Sequence, residues 1–178
     1  MNKAVKRVLI SENDIEKKLC DLGQKISECY GEEEVVVISI LKGALVFTAD
    51  LIRKLKCDVV LDSMIVSSYG SGTSSSGKIK IVQDCREDLK DRNVLVVDDI
   101  IDSGNTLSQL YEFLKTRDPK SLRTCVFLDK PSRRTVDYKP DFSGYEIPDA
   151  FVIGYGLDYD GKYRQLPYVA EIKEEFVK

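Results

Sequence analysis

The chain has 178 residues, 43% apolar and 32% charged, which suits one soluble domain with a sizeable core. Its net charge of −3 and pI near 5.2 argue against a nucleic-acid binder working through bulk positive charge. Histidine is absent, so Ser-His and Cys-His catalysis and the usual zinc sites fall away, leaving acid–base work to Asp, Glu, Lys or Tyr. Five scattered cysteines with no CxxC pair fit reduced thiols in the cytoplasm. The apolar run near the N-terminus is too short for a signal-peptide core, and no segment approaches the ~20 apolar residues of a membrane span.

Helical and strand patterns then alternate. In SENDIEKKLCDLGQKISECYG, Ser11 is placed as an N-cap, Ile15, Leu19, Leu22 and Ile26 form one helical stripe, and Gly31 follows as a stop. VVVISI (35–40) is a continuous β-branched run, expected as a strand buried on both faces. ALVFTADLIRKL carries Ala44, Thr48, Leu51 and Leu55 on one face and predicts a helix. CDVVLDSMIVSSY and KIKIV (78–82) read as strands. The segment 67–78 between them, SSYGSGTSSSGK, is dominated by Gly and Ser, as in a hairpin tip or a mobile lid. VLVV (94–97) is another short buried strand, TLSQLYEFLKT a helix, and LRTCVFLDK and AFVIGYGL two more strand candidates. Such alternation predicts an α/β fold with a parallel sheet and right-handed crossovers. Neither repeat nor linker divides the chain, so residues 1–178 are expected to form one domain.

The most informative stretch is VLVVDDIIDSGNTL, residues 94–107. Ligands of such sheets sit beyond the C-terminal ends of the strands, and VLVV delivers Asp98 and Asp99 there. Alternation along an extended backbone sends their side chains to opposite sides. Asp102, Ser103, Gly104, Asn105 and Thr106 follow as a turn into a helix, whose unpaired N–H groups and positive dipole end suit a phosphate monoester. Acids would repel that phosphate but accept hydrogen bonds from vicinal sugar hydroxyls, or hold Mg²⁺ beside them. The combination points to a ribose phosphate. A P-loop is excluded because GxxxxGK[ST] is absent, and dinucleotide binding because no GxGxxG occurs. A capped helix with acids facing solvent is the plain structural alternative.

VLVVDDIIDSGNTL resembles the phosphoribosyl-diphosphate signature of type I phosphoribosyltransferases. LKG (41–43), SSYGSG (67–72), LDKPSRR (128–134) and PDAFVIGYGLDYDGKYRQLPY (148–168) resemble its hypoxanthine–guanine branch, in particular the bacterial members. The likeness spans nearly the whole chain. Asp98 departs from it, since Glu is more usual there. The resemblance implies a mostly parallel five-stranded sheet flanked by helices, with a small hood built from the N- and C-terminal segments. It implies a purine salvage enzyme that moves 5-phosphoribose to hypoxanthine or guanine and releases pyrophosphate, with Mg²⁺ as cofactor, working in the cytoplasm as a homodimer or homotetramer.

The same resemblance distributes the roles. Asp98 and Asp99 fall on the ribose hydroxyls and a Mg²⁺, and Ser103, Gly104, Asn105 and Thr106, with the Asp102 backbone, around the 5-phosphate. Asp102 becomes the general base for the imidazole proton. Leu41, Lys42 and Gly43 form a pyrophosphate loop, often with a cis peptide between 41 and 42, and Arg164 clamps the same group. Lys130 donates to the purine 6-oxo group, Phe151 stacks on the base, and the Val152 backbone reads its edge. Asp158 borders the purine and holds a second Mg²⁺. Ser68 and Tyr69 form the tip of a lid that keeps water from a cationic sugar. Lys130 can only donate, so adenine, with its 6-amino donor, is expected to be rejected. The competing reading is a nucleotide-sensing RNA-binding regulator on the same fold; it would need a basic face, against the chain's net acidity.

Overall fold

The computed structural model describes residues 2–68 and 79–177, and of Ser68 only its backbone. Tyr69 and most of the expected lid therefore lie outside the described residues. In chain order the elements are β1 (Val5–Ile10), α1 (Glu12–Tyr30), β2 (Val35–Leu41), α2 (Leu45–Ile52), β3 (Val59–Ser68), β4 (Ile79–Gln83), β5 (Asn93–Ile101), α3 (Asn105–Lys115), β6 (Ser121–Asp129), β7 (Phe142–Glu146), β8 (Val152–Ile153) and β9 (Val169–Ile172). The main sheet runs β4-β3-β2-β5-β6-β7. Five of its strands are parallel, and β4 adds an antiparallel edge against β3. The strand count is thus six rather than five, because KIKIV joins the same sheet.

Local sequence explains the helices well. The Ser11 hydroxyl accepts the Asp14 N–H at 3.2 Å and opens α1, whose buried stripe contains Ile15, Leu19, Leu22 and Ile26. Gly31, at φ 61°, ends it with an N–H donated to the Ser27 carbonyl. Helices α1 and α2 cover one sheet face through Leu19, Leu22, Phe47 and Leu51; α3 covers the other through Leu107, Leu110 and Leu114. No helix among the described residues is long and apolar enough to cross a membrane.

Two strand expectations need correcting. AFVIGYGL yields only the two residues of β8, because Gly154, Tyr155 and Gly156 all take positive φ and turn the chain away. That short strand joins a separate antiparallel sheet, β1-β9-β8, to which the first and last strands belong. β5, by contrast, runs four residues past VLVV, through both acids to Ile101.

This last difference creates the crevice that matters. β2 pairs with β5 only as far as Ser39–Val97, whereas β5 stays paired with β6 to Ile101–Asp129. Past that point β2 and β5 separate. The chain also reverses its direction of travel across the sheet here, since β3 lies on one side of β2 and β5 on the other. Open parallel sheets offer a ligand crevice at such a switch point.

Candidate active site

Two adjoining cavities occupy this crevice. The first, about 260 Å³, is lined by Ile40, Leu41 and Gly43 from the end of β2, by Asp98 to Ile101 from β5, and by Asp102, Ser103, Gly104, Thr106 and Leu107. Its floor is the N-terminus of α3. Gly104, at φ 85°, lets the chain turn sharply enough to present that end. The Ser103 hydroxyl accepts the Asn105 N–H at 3.3 Å, while Ser103, Gly104 and Thr106 border the open space. The side chain of Asn105 points elsewhere, its amide donating to Thr135 Oγ1 at 3.1 Å.

The two acids line the same cavity. Asp99 N–H donates to Asp98 Oδ1 at 3.0 Å, and Ile100 N–H to Asp99 Oδ1 at 3.1 Å. Each carboxylate thus folds along the strand onto the next N–H, and the two come within hydrogen-bonding reach of one another. The expectation that they point to opposite sides is therefore corrected: both border one cavity. Burial first, then repulsion from Asp99, pushes the Asp98 carboxyl well above the usual carboxylate range. Burial also raises Asp99, against the hydrogen bonds it receives and the charge of Arg164.

Gly43 is pressed against this pair. A Cβ placed there would lie 1.9 Å from Asp99 Oδ2, so any larger residue would force the Asp99 carboxylate to shift. Gly156 is pressed in turn against Gly43, whose carbonyl oxygen would be 2.2 Å from its Cβ. The Leu41–Lys42 peptide is cis. Leu41 and Gly43 line the cavity, whereas Lys42 is exposed and does not.

The second cavity, about 240 Å³, shares Asp99, Ile100 and Asp102 with the first and adds Lys130, Phe151, Val152, Leu157 and Asp158. Lys130 follows β6 and is only 7% exposed; its ammonium lies 3.8 Å from Asp149 Oδ1. Phe151 is 48% exposed, which sets it apart from a core aromatic, and Tyr159 meets it edge-on with ring centroids 5.3 Å apart. Asp158 is bound to Arg164 Nη2 at 2.7 Å and accepts the Gly161 N–H at 2.8 Å. Arg164 also donates to the Gly156 carbonyl at 2.6 Å. The arrangement can therefore hold a phosphate on helix N–H dipoles, hydroxyl donors on two acids, and an oxo group on a buried ammonium, in that order along one trough.

Sequence reasoning missed the brace behind the turn. Arg134 donates to the Asp102 carbonyl and to Asp129 Oδ1, and Thr135 N–H donates to the Ser103 carbonyl at 3.0 Å. Arg133 Nε lies 2.9 Å from Asp102 Oδ1. The only hint was the paired arginine in LDKPSRR, from which Lys130 alone was taken. Asp149 gave no signal at all, since it lies in a loop before β8 and its contact is tertiary.

Comparison with known proteins identifies relatives of the whole chain. Residues 9–160 match the model of the phosphoribosyl transferase domain family. The chain is 48% identical over 167 residues to the hypoxanthine phosphoribosyltransferase of Salmonella typhimurium, covering 93% of this chain and 94% of the relative. It is 47% identical over 173 residues to the hypoxanthine-guanine phosphoribosyltransferase of Bacillus subtilis, covering 97% and 96% respectively. Among solved structures, a hypoxanthine-guanine phosphoribosyltransferase from Bacillus anthracis superposes with a TM-score of 0.91 at 45% identity, covering 95% of this chain and 99% of that one. A hypoxanthine phosphoribosyltransferase from Staphylococcus aureus gives a TM-score of 0.95 at 39% identity, covering 98% and 95%.

Proposed function

The chain belongs to the phosphoribosyl transferase family, and from this we infer that it is an enzyme of purine salvage. It transfers 5-phosphoribose from phosphoribosyl diphosphate to hypoxanthine or guanine, giving IMP or GMP and pyrophosphate. One observation supports this most directly. The anion cradle and the buried ammonium share a wall, formed by Asp99, Ile100 and Asp102, so a sugar spanning the two cavities brings its anomeric carbon to the base.

In the mechanism we propose, Ser103, Gly104, Asn105 and Thr106 seat the 5-phosphate, mainly through backbone N–H groups at the start of α3. Asp98 and Asp99 accept from the ribose hydroxyls. Lys130 donates to the 6-oxo group, Phe151 covers the ring face, and the Val152 backbone reads the base edge. Asp102 takes the proton from the imidazole nitrogen as the new bond forms; without histidine, a carboxylate is the group that can do so. Gly43, the adjoining Leu41–Lys42 peptide and the Arg164 fork receive the departing pyrophosphate.

The Asp98–Asp99 pair fits Mg²⁺: it offers hard oxygen donors, and a divalent charge would relieve the repulsion between the two carboxylates. When bound, such an ion offsets charge on the ribose hydroxyls and the diphosphate. Asp158 already spends both oxygens on Arg164 and the Gly161 N–H. It suits a second ion only once Arg164 has been drawn onto the leaving group.

The test is turnover with phosphoribosyl diphosphate, Mg²⁺ and a panel of bases. Hypoxanthine and guanine should react, with almost no turnover of adenine or uracil. Asp102→Asn should lose about 10²-fold or more in kcat, the scale of general-base catalysis. Full activity in that variant removes Asp102 as the base; no turnover of any oxopurine removes the whole assignment.

A further inference from the structure

The contacts around Asp102 extend into a charged chain that the reaction as described does not use. Asp102 Oδ1 is buried and accepts no aligned hydrogen bond, although Arg133 Nε stands 2.9 Å away. Arg133 Nη1 donates to Asp149 Oδ1 at 3.2 Å, and the same Asp149 oxygen lies 3.8 Å from the Lys130 ammonium. Two carboxylates and two cations therefore alternate from the proposed base to the proposed 6-oxo donor. Arg133 and Lys130 are held at a fixed spacing by the single 3-10 turn Pro131–Arg133. Arg134 meanwhile fixes the Asp102 backbone through its carbonyl, so the Asp102 carboxylate is the part left free to change partner.

We propose that Arg133 is a positioning residue that parks the Asp102 carboxylate, and that Asp149 ties its release to occupation of Lys130 by an oxo group. The proposal rests on the transferase reading above. In the ligand-free arrangement Asp149 divides its attraction between Lys130 and Arg133. An incoming 6-oxo group takes the Lys130 ammonium, and Asp149 is left to Arg133 alone. The guanidinium then shifts toward Asp149, where its fork makes two parallel bonds, and gives up the poorly aligned contact with Asp102. The freed carboxylate receives the imidazole proton. A 6-amino group offers Lys130 no acceptor, so Asp149 stays divided and the base stays parked. Selectivity thus acts on the chemical step as well as on binding.

The experiment is a suppressor test by steady-state kinetics on the full chain with hypoxanthine. Asp149→Asn removes the pull on Arg133, so kcat should fall about tenfold, the size of one charge-assisted hydrogen bond, while KM for hypoxanthine does not rise. Adding Arg133→Gln removes the parking partner, and the double variant should recover most of that loss. A structural role would make the double variant worse, not better. KM for phosphoribosyl diphosphate, read in the same assays, should stay within twofold throughout. An unchanged kcat in Asp149→Asn overturns the inference, and so does a double variant no faster than Asp149→Asn alone. A parent chain inactive on hypoxanthine would instead overturn the transferase reading.

Discussion

Replacing Gly43 by alanine isolates the coupling between the end of β2 and the acid pair. The new Cβ would stand 1.9 Å from Asp99 Oδ2 and 2.4 Å from its Cγ, where ordinary contact begins at 3.4 Å. One partner must therefore retreat by about 1.5 Å. Gly43 cannot move away freely, because its carbonyl oxygen already closes on Gly156. Asp99 is the partner left to yield, and it is held by the Ile100 N–H. Overpacking of this kind costs about 1–3 kcal/mol, or roughly 3–10 °C in Tm for a chain of this size. Misplacing a ligand-holding group by about 1 Å costs on the order of a hundredfold in rate. Steady-state kinetics should then show kcat/KM for phosphoribosyl diphosphate down about a hundredfold, alongside a modest melting shift. Gly31→Ala supplies the control: its φ is 61° but a Cβ there meets nothing within 4 Å, so Tm should fall and kinetics should not change. If Gly43→Ala keeps kcat/KM within twofold of the parent, the pressed contact with Asp99 has no part in donor binding.

Other substitutions probe separate parts of the argument. Lys130→Met should cut kcat/KM for hypoxanthine by about a hundredfold and leave adenine turnover nearly as it was, so the ratio of the two collapses; competition assays with both bases read it directly. Ser11→Ala removes the acceptor at the start of α1 and should cost about 1 kcal/mol, roughly 3 °C in Tm, with unchanged kinetics. Asp62 tests the pH response of stability. Burial pushes its carboxyl up, but the N–H groups of Glu87, Ser63 and Arg86 outweigh this and hold it below the usual value. A folded pKa below the unfolded one means that the contribution is present above about pH 4 and is lost as pH falls through the folded value. Asp62→Asn should accordingly melt lower than the parent at pH 7, with the gap shrinking below about pH 4; a gap independent of pH refutes the assignment.

How much of this was legible depended on the range of the forces involved. The stretch 98–106 could be read because its chemistry is local: an apolar strand, acids at its end, and a helix start within a few residues. Ser11 and Gly31 were legible for the same reason. β7 and β9 were not recognised, since FSGYE and VAEI are short, mixed sequences that become strands only when β6 and β1 offer their edges. AFVIGYGL misled in the opposite way, its apolar content suggesting a long strand while two glycines carried the turn. The relation between Asp98 and Asp99 was misjudged because strand alternation fixes where Cβ points, not where a carboxylate goes when the next N–H attracts it. Arg133 and Asp149, sixteen positions apart, meet only through tertiary packing.

The distribution of charge suggests why a carboxylate can serve as base so close to a phosphate. None of the described residues lining the first cavity is basic, so in the proposed mechanism N–H dipoles and hydroxyls of these residues, rather than a cation among them, hold the phosphate end. The basic residues Lys130, Arg133, Arg134 and Arg164 stand instead around the second cavity or behind the turn. A cation in the cradle would bind the phosphate of the product as tightly as that of the donor, adding affinity without rate. In the proposed mechanism the cations stand at the oxo group and the leaving group, where charge changes during reaction. Asp102 sits at the boundary, its carbonyl held by Arg134 and its carboxylate facing Arg133. With histidine absent from the chain, that placement would let an aspartate do the proposed acid–base work beside an anionic substrate.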